Sequence, residues 1–261
     1  MEKLHSLNAY SPGMPFSHIF KISSVSDYCV SMKKTAEGIL SREQFLAHMD
    51  KAPKPIYFQE ELKKLIEPSE KVLFLSVGDG YLEYALMKAF PSKEYYLADV
   101  MEDMIQTIRK FAVDVKKVET AVADNRNLPF QDSFFDCVIV LAAEYFFDQN
   151  DFHKMLSEIK RTLVDNGSLG LVSVSLQEEK QFSFKERILS LVNRSTVLSL
   201  VFWYLLKRKI CVRTGYRRAI SDFILAAKEV GGLQVRGIDF VGNGVNSVRR
   251  ALFRISKSDA I

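Results

Sequence analysis

The chain has 261 residues, of which 48% are hydrophobic and 26% charged, with a formal net charge of +4. That suits one large globular domain, or one domain with a substantial appendage, and the charge is too small to indicate nucleic acid as a partner. No run approaches the ~18 uninterrupted apolar residues of a membrane-crossing helix. Residues 1–13 are polar, without a secretory core, and Cys29, Cys137 and Cys211 lie too far apart for a zinc site, so a cytoplasmic protein without bound metal is expected.

Residues 1–20, with Ser11-Pro12-Gly13 and Pro15, have no clear period and read as an arm. Residues 26–40 read as a helix, and Ser41-Arg42-Glu43-Gln44 fits the capping box that opens a short helix to about Met49. Pro53 and Pro55 break that run, and 56–66 form a further helix. Residues 1–66 are thus expected to be an N-terminal arm and helical appendage, either packing alone or a flap with Tyr57 and Phe58 as ligand walls. The main domain would be 67–261.

At Val72-Leu73-Phe74-Leu75-Ser76-Val77-Gly78-Asp79-Gly80, four apolar residues run into a short glycine loop, and 81–90 then read as a helix. Gly78 and Gly80 permit close backbone approach to a ligand, and a helix start offers unpaired N–H groups. An ordinary strand-to-helix turn has the same pattern. A second strand over 93–100 ends in Asp99, about twenty residues beyond the loop, where an acid is placed to accept from ribose hydroxyls. The plainer alternative is a surface Asp capping the helix from Met101. A third strand over 115–123 ends at Asp124-Asn125.

Asn127-Leu128-Pro129-Phe130, a polar turn, Phe135-Asp136 and the apolar Cys137-Val138-Ile139-Val140 follow, and Glu158-Ile159-Lys160-Arg161-Thr162-Leu163 precedes Gly167. In this order and spacing they resemble the class I S-adenosylmethionine-dependent methyltransferases, most of all the small-molecule branch of the ubiquinone/menaquinone methyltransferases. The likeness covers about 72–175 well and extends more loosely to the end. It implies an α/β fold, a doubly wound Rossmann-like seven-stranded sheet with N-terminal helices and a helical lid insertion. It also implies methyl transfer from S-adenosylmethionine to a small-molecule or lipid-like acceptor. Ser76, Gly78, Asp79 and Gly80 would then line the methionine part of the donor. Asp99 would hold the ribose, Val100 and Met101 flank the adenine, Asp124 with Asn125 beside it accept from the adenine amino group, and Leu141 lie near the methyl. Glu144 and Tyr145, just past strand four, are the nearest residues for a base, should the acceptor need to lose a proton.

Two positions depart from the pattern: the family usually has an acid where Phe74 stands and a glycine where Ser76 stands. Asp79 would compensate by facing the donor's ammonium. These departures motivate a rival reading, a catalytically degenerate binding or membrane-surface module. Leu141-Ala142-Ala143 lacks the acid of spermidine synthases. Strand five is read over 167–174, Cys137 as a small buried apolar residue, and His153 as an exposed residue on a helix from Asp151.

The lid insertion lies at about 176–218, and within it residues 181–218 carry nine basic residues against Glu186 alone, a net charge of +8. Inside it, the ten residues 197–206 are apolar all round, which suits a buried cover helix, a membrane-surface element or the wall of a greasy acceptor site. A helix over 219–230 and strands over 233–241 and 248–256, turning at Gly242-Asn243-Gly244, would close the sheet.

Overall fold

A computed structural model describes residues 33–51, 58–176, 218–241 and 249–258. The readings placed on the arm, on Tyr57, on the all-round apolar decamer with Trp203 and on the glycine turn at 242–244 lie outside the described residues.

Helix α1 (Arg42–Met49) is opened by the expected capping box: the Gln44 N–H donates to Ser41 Oγ at 3.2 Å, and the Ser41 N–H donates to Gln44 Oε1. Helix α2 (Gln59–Ile66) leads into β1 (Lys71–Leu75). There follow α3 (Tyr81–Ala89), β2 (Glu94–Asp99), α4 (Glu102–Phe111), β3 (Lys117–Val122) and β4 (Phe135–Leu141). The chain continues through α5 (Gln149–Thr162), β5 (Leu163–Leu176), α6 (Ile220–Val230), β6 (Leu233–Val241) and β7 (Arg249–Lys257). The strands form one seven-stranded sheet in the order β3-β2-β1-β4-β5-β7-β6. β1 to β5 are parallel, and β7 lies antiparallel between β5 and β6.

Side chains alternate across the sheet, so β1 and β4 feed both faces. Leu73, Leu75, Val138 and Val140 pack with Phe152, Met155 and Ile159 of α5 and Phe223 of α6. Val72, Phe74, Cys137 and Ile139 pack on the other face with Leu62 of α2, Leu86 of α3 and Ile108 of α4. Phe45 of α1 joins this second core, its ring 4.9 Å from Tyr84 and 5.9 Å from Phe111. α2 lies so close to β5 that a Cβ on Gly170 would be 3.0 Å from Leu62 Cδ2. Phe58 is buried in the same core, at φ 61°. Cys137 is fully buried, which pushes its thiol up to about 12, so it is inert packing.

Two boundaries differ from the sequence reading. β5 begins at Leu163 rather than Gly167, because Leu163 pairs with Phe135 before an irregularity in register. α5 begins two residues before Asp151, because the Asp148 carboxylate accepts the Asp151 N–H at 2.8 Å and caps the helix. Among the described residues, no helix is long and apolar enough to cross a membrane.

Because α1 and α2 share a core with β1, they should unfold with the sheet. Phe45→Ala should cost about 3–5 kcal/mol in urea unfolding, the range for a large core aromatic, while the transition stays single. A separate early transition would show that α1 is an independent attachment.

Candidate functional site

β1 sits where the chain reverses direction across the sheet, between β2 and β4, and open α/β sheets bind ligands outside the carboxyl ends of such strands. The loop leaving β1 is there. Gly78 and Gly80 have φ 56° and 74°, and Gly80 caps α3. A side chain at Gly80 would be doubly opposed, by its backbone and by Ile108 Cδ1, 2.4 Å from the added carbon. Asp99, at the tip of β2, is 5% exposed and ties the loop down. Its Oδ2 accepts the Gly78 N–H at 3.1 Å, and its Oδ1 accepts the Met101 N–H at 2.9 Å. Burial raises the carboxyl's pKa, and these backbone donors pull against that rise. Asp99 is therefore not the surface cap of the plainer alternative: it is buried, and α4 is capped by Met101 without a side-chain hydrogen bond. Val100 and Met101 follow Asp99, half-buried.

Beside the loop the charge balance is acidic. Asp79 is half-buried, its Oδ1 enclosed without a hydrogen-bond partner among the described residues, and burial raises its pKa while His48 opposes the rise. His48 comes from α1 and stacks on Tyr81, ring centroids 4.8 Å apart. Its burial lowers its own pKa. Glu83, on the first turn of α3, is 3% exposed, and burial beside Asp99 and Asp79 pushes its carboxyl up to about 8. Phe74, where an acid was expected, is fully buried and stacks on Tyr95 at 5.8 Å. An aspartate there would be an unpaired charge in an apolar core.

Ser76 adopts φ 58°, a left-handed conformation costly for a residue with a side chain. Its hydroxyl accepts from Asn125 Nδ2 at 2.8 Å, joining the ends of β1 and β3. Asp124 is engaged by Arg126, whose Nε donates to its Oδ1 at 2.9 Å, and Arg126 also reaches Asp151 at 2.8 Å. At the end of β4, Leu141 is half-buried, and the short 3₁₀ turn Glu144–Phe146 follows. Glu144 is fully enclosed, and Ser173 Oγ donates to its Oε1 at 2.7 Å. Tyr145 lies in the same turn; its side chain is outside the described residues. Arg218, counted among the basic residues of the insertion, is buried and donates to the carbonyls of Glu144, Phe147 and Asp148 at 2.7–2.9 Å. It fastens this turn. His153 Nε2 lies 3.0 Å from Glu229 of α6.

The loop, β2 tip and β3 end follow the order that residues 72–167 share with the family model described as a methyltransferase domain. This segment is similar to methyltransferase domains. Its curated relatives include the ubiquinone/menaquinone biosynthesis C-methyltransferase UbiE of Bordetella parapertussis, 37% identical over 42% of this chain and 43% of the relative. The demethylmenaquinone methyltransferase of Thermotoga maritima is 32% identical over 44% of this chain and 48% of the relative. The chain thus spans less than half the length of the relatives it matches. Among solved structures, human N-acetylserotonin methyltransferase in complex with SAM has a TM-score of 0.54 at 14% identity, covering 84% of this chain and 57% of that one. The [4+2]-cyclase SpnF has a TM-score of 0.57 at 11% identity, covering 80% and 84%. The fold of the methyltransferase domain is shared even by a cyclase, so its chemistry must be argued from the site.

The sequence reading did not single out Glu83, His48, Arg126 or Arg218. Glu83 had a signal, as one acid inside the otherwise apolar Tyr81-Leu82-Glu83-Tyr84-Ala85-Leu86-Met87. The folded pKa of Glu83 lies above its unfolded value, so its neutral form favours folding, and stability should fall as pH rises from about 4.5 to about 8. Glu83→Gln should remove that slope and stabilise the ligand-free protein by about 3 kcal/mol at pH 7. Thermal melts of both proteins between pH 5 and pH 8 measure it; parallel curves would contradict the burial assigned to Glu83.

Proposed function

We propose that this chain transfers a methyl group from S-adenosylmethionine to a small or lipid-like acceptor, with a quinone-type ring as the acceptor class. One observation carries the donor assignment. The glycine loop, Asp99 and Asp124 stand together at the carboxyl ends of β1, β2 and β3, at the switch in strand order. The residues suit the donor. Asp99 stands between the loop and the start of α4, held by backbone N–H groups of both, where ribose hydroxyls would reach its carboxylate. Val100 and Met101 flank the place for adenine, and Asp124 with Asn125 closes it. The acidic surroundings of Asp79 and Glu83 favour a cationic ligand. When bound, the donor supplies a sulfonium methyl that is already strongly electrophilic, so the protein's own contribution is binding, orientation and exclusion of water.

The acceptor class is supported by the names of the relatives, which specify C-methylation in quinone biosynthesis. It is also supported by the basic, apolar insertion over 181–218, which suits a greasy substrate and peripheral contact with a membrane surface. Glu144 and Tyr145 lie nearest in the chain to Leu141 and the methyl. The enclosure of Glu144 favours support of the turn over proton removal, so transfer is carried by positioning.

Calorimetric titration with S-adenosylhomocysteine tests the donor site. Wild type should bind, and Asp99→Ala should bind at least tenfold more weakly, from loss of ribose hydrogen bonds of about 1.5–3 kcal/mol. Equal binding by both proteins would remove Asp99 from the site. Absence of binding by wild type would favour the degenerate module that Phe74 and Ser76 suggest. Incubation with S-adenosylmethionine and a demethylated quinone, followed by mass spectrometry for a methylated product, tests the acceptor.

A further inference from the structure

Three carboxyl groups meet at the glycine loop, and they are not equivalent. Asp79, inside the loop, has His48 as its charged neighbour. Asp99 receives the N–H groups of Gly78 and Met101. Among the described residues, Glu83 has neither a basic neighbour nor an N–H group from another residue. Its hydrogen bond comes from its own backbone N–H, and the charged groups acting on it, Asp99 and Asp79, are both acids. No basic group is among the charges acting on Glu83, and Lys51, just after α1, acts on His48 instead. On α1, His48 faces Asp79, and Arg42 reaches Asp114, on the segment after α4, at 3.6 Å. On α3, Tyr84 donates to Asp114, and Tyr81 stacks on His48. α4 presents Ile108 to the loop.

A buried carboxyl beside two acids, without a base, is a site for a positive charge brought from outside. Glu83 stands about one helical turn beyond Gly80, the last residue of the loop to which the amino-acid end of the donor is assigned. The family position for an acid, on β1, is filled by Phe74 stacked on Tyr95. We propose that Glu83 binds the ammonium group of the donor, so that the carboxylate absent from β1 is supplied from the first turn of α3. The inference rests on the donor reading above.

One consequence concerns protons. Burial beside Asp99 and Asp79 holds Glu83 neutral in the free protein at pH 7, with its pKa at about 8. An arriving ammonium favours the carboxylate, so binding expels a proton from Glu83. Affinity for a ligand carrying the ammonium therefore rises with pH up to about 8 and levels off above it.

The test compares two probes, S-adenosylhomocysteine and 5′-methylthioadenosine, a thionucleoside without the amino-acid end. Both are titrated into wild type and into Glu83→Gln, a same-size neutral replacement whose folding is checked by its thermal melt. Glu83→Gln should bind S-adenosylhomocysteine about tenfold more weakly, the loss of one charge-assisted hydrogen bond. It should bind 5′-methylthioadenosine within twofold of wild type. Wild-type heats with S-adenosylhomocysteine at pH 7 should depend on the ionisation enthalpy of the buffer, and those of the variant should not. Unchanged affinity for S-adenosylhomocysteine, or equal weakening of both probes, would overturn the assignment of Glu83 and leave the donor reading intact. Failure of wild type to bind either probe would overturn the donor reading, and this inference with it.

Discussion

The site depends on one buried carboxylate. Asp99 joins the tip of β2 to the glycine loop through Gly78 and to the start of α4 through Met101. Two segments that would otherwise end in unpaired N–H groups are thereby fixed to each other, and the crevice between them has a defined width. The arrangement costs desolvation, which the backbone donors offset. The positive φ of Gly78 and Gly80 follows from the same constraint, since the loop must turn back towards Asp99 and still deliver its last residue as the cap of α3.

Around that anchor the structure concentrates negative charge and leaves it poorly neutralised. Burial raises the pKa of Asp79 and pushes that of Glu83 up to about 8, and His48, the basic group acting on Asp79, is itself pushed towards neutrality by burial. Such an arrangement disfavours the empty protein and favours a cationic ligand, the usual exchange of stability for binding at functional sites. The positive side is treated differently. Arg126 bridges Asp124 and Asp151, and Arg218 holds three carbonyls of the turn after β4, so these guanidinium groups stiffen the walls of the crevice. Ser76 adds a further tie, through Asn125, at the position where the family has glycine.

Much of this was legible in the sequence because it rests on local rules. The apolar runs of β1 and β4, the glycine loop, the acid at the end of β2 and the capping box at Ser41 depend on residues close together in the chain, and each lies where the pattern placed it. What escaped depends on contacts distant in sequence. Arg218 could be read as part of a solvated basic face, because nothing near it reveals the carbonyls of Glu144, Phe147 and Asp148 some seventy residues earlier. The engagement of Asp124 by Arg126 was equally hidden, because it depends on the loop geometry after β3. The shifted start of β5 has the same origin, since Leu163 is a strand residue only because Phe135 lies opposite it. Phe74 looks like a defect in a motif when read from neighbouring residues alone, and its stack on Tyr95 of β2 gives it a packing role in the core.

The central claim is that the carboxyl ends of β1, β2 and β3 form one binding site for a sulfonium nucleoside. Hydrogen–deuterium exchange of the full chain with and without S-adenosylhomocysteine tests it most directly. Peptides covering 76–84, 98–102 and 123–127 should gain protection together, while those of β6 and β7 stay unchanged. Protection confined to other segments, or no protection at saturating ligand, would contradict the account.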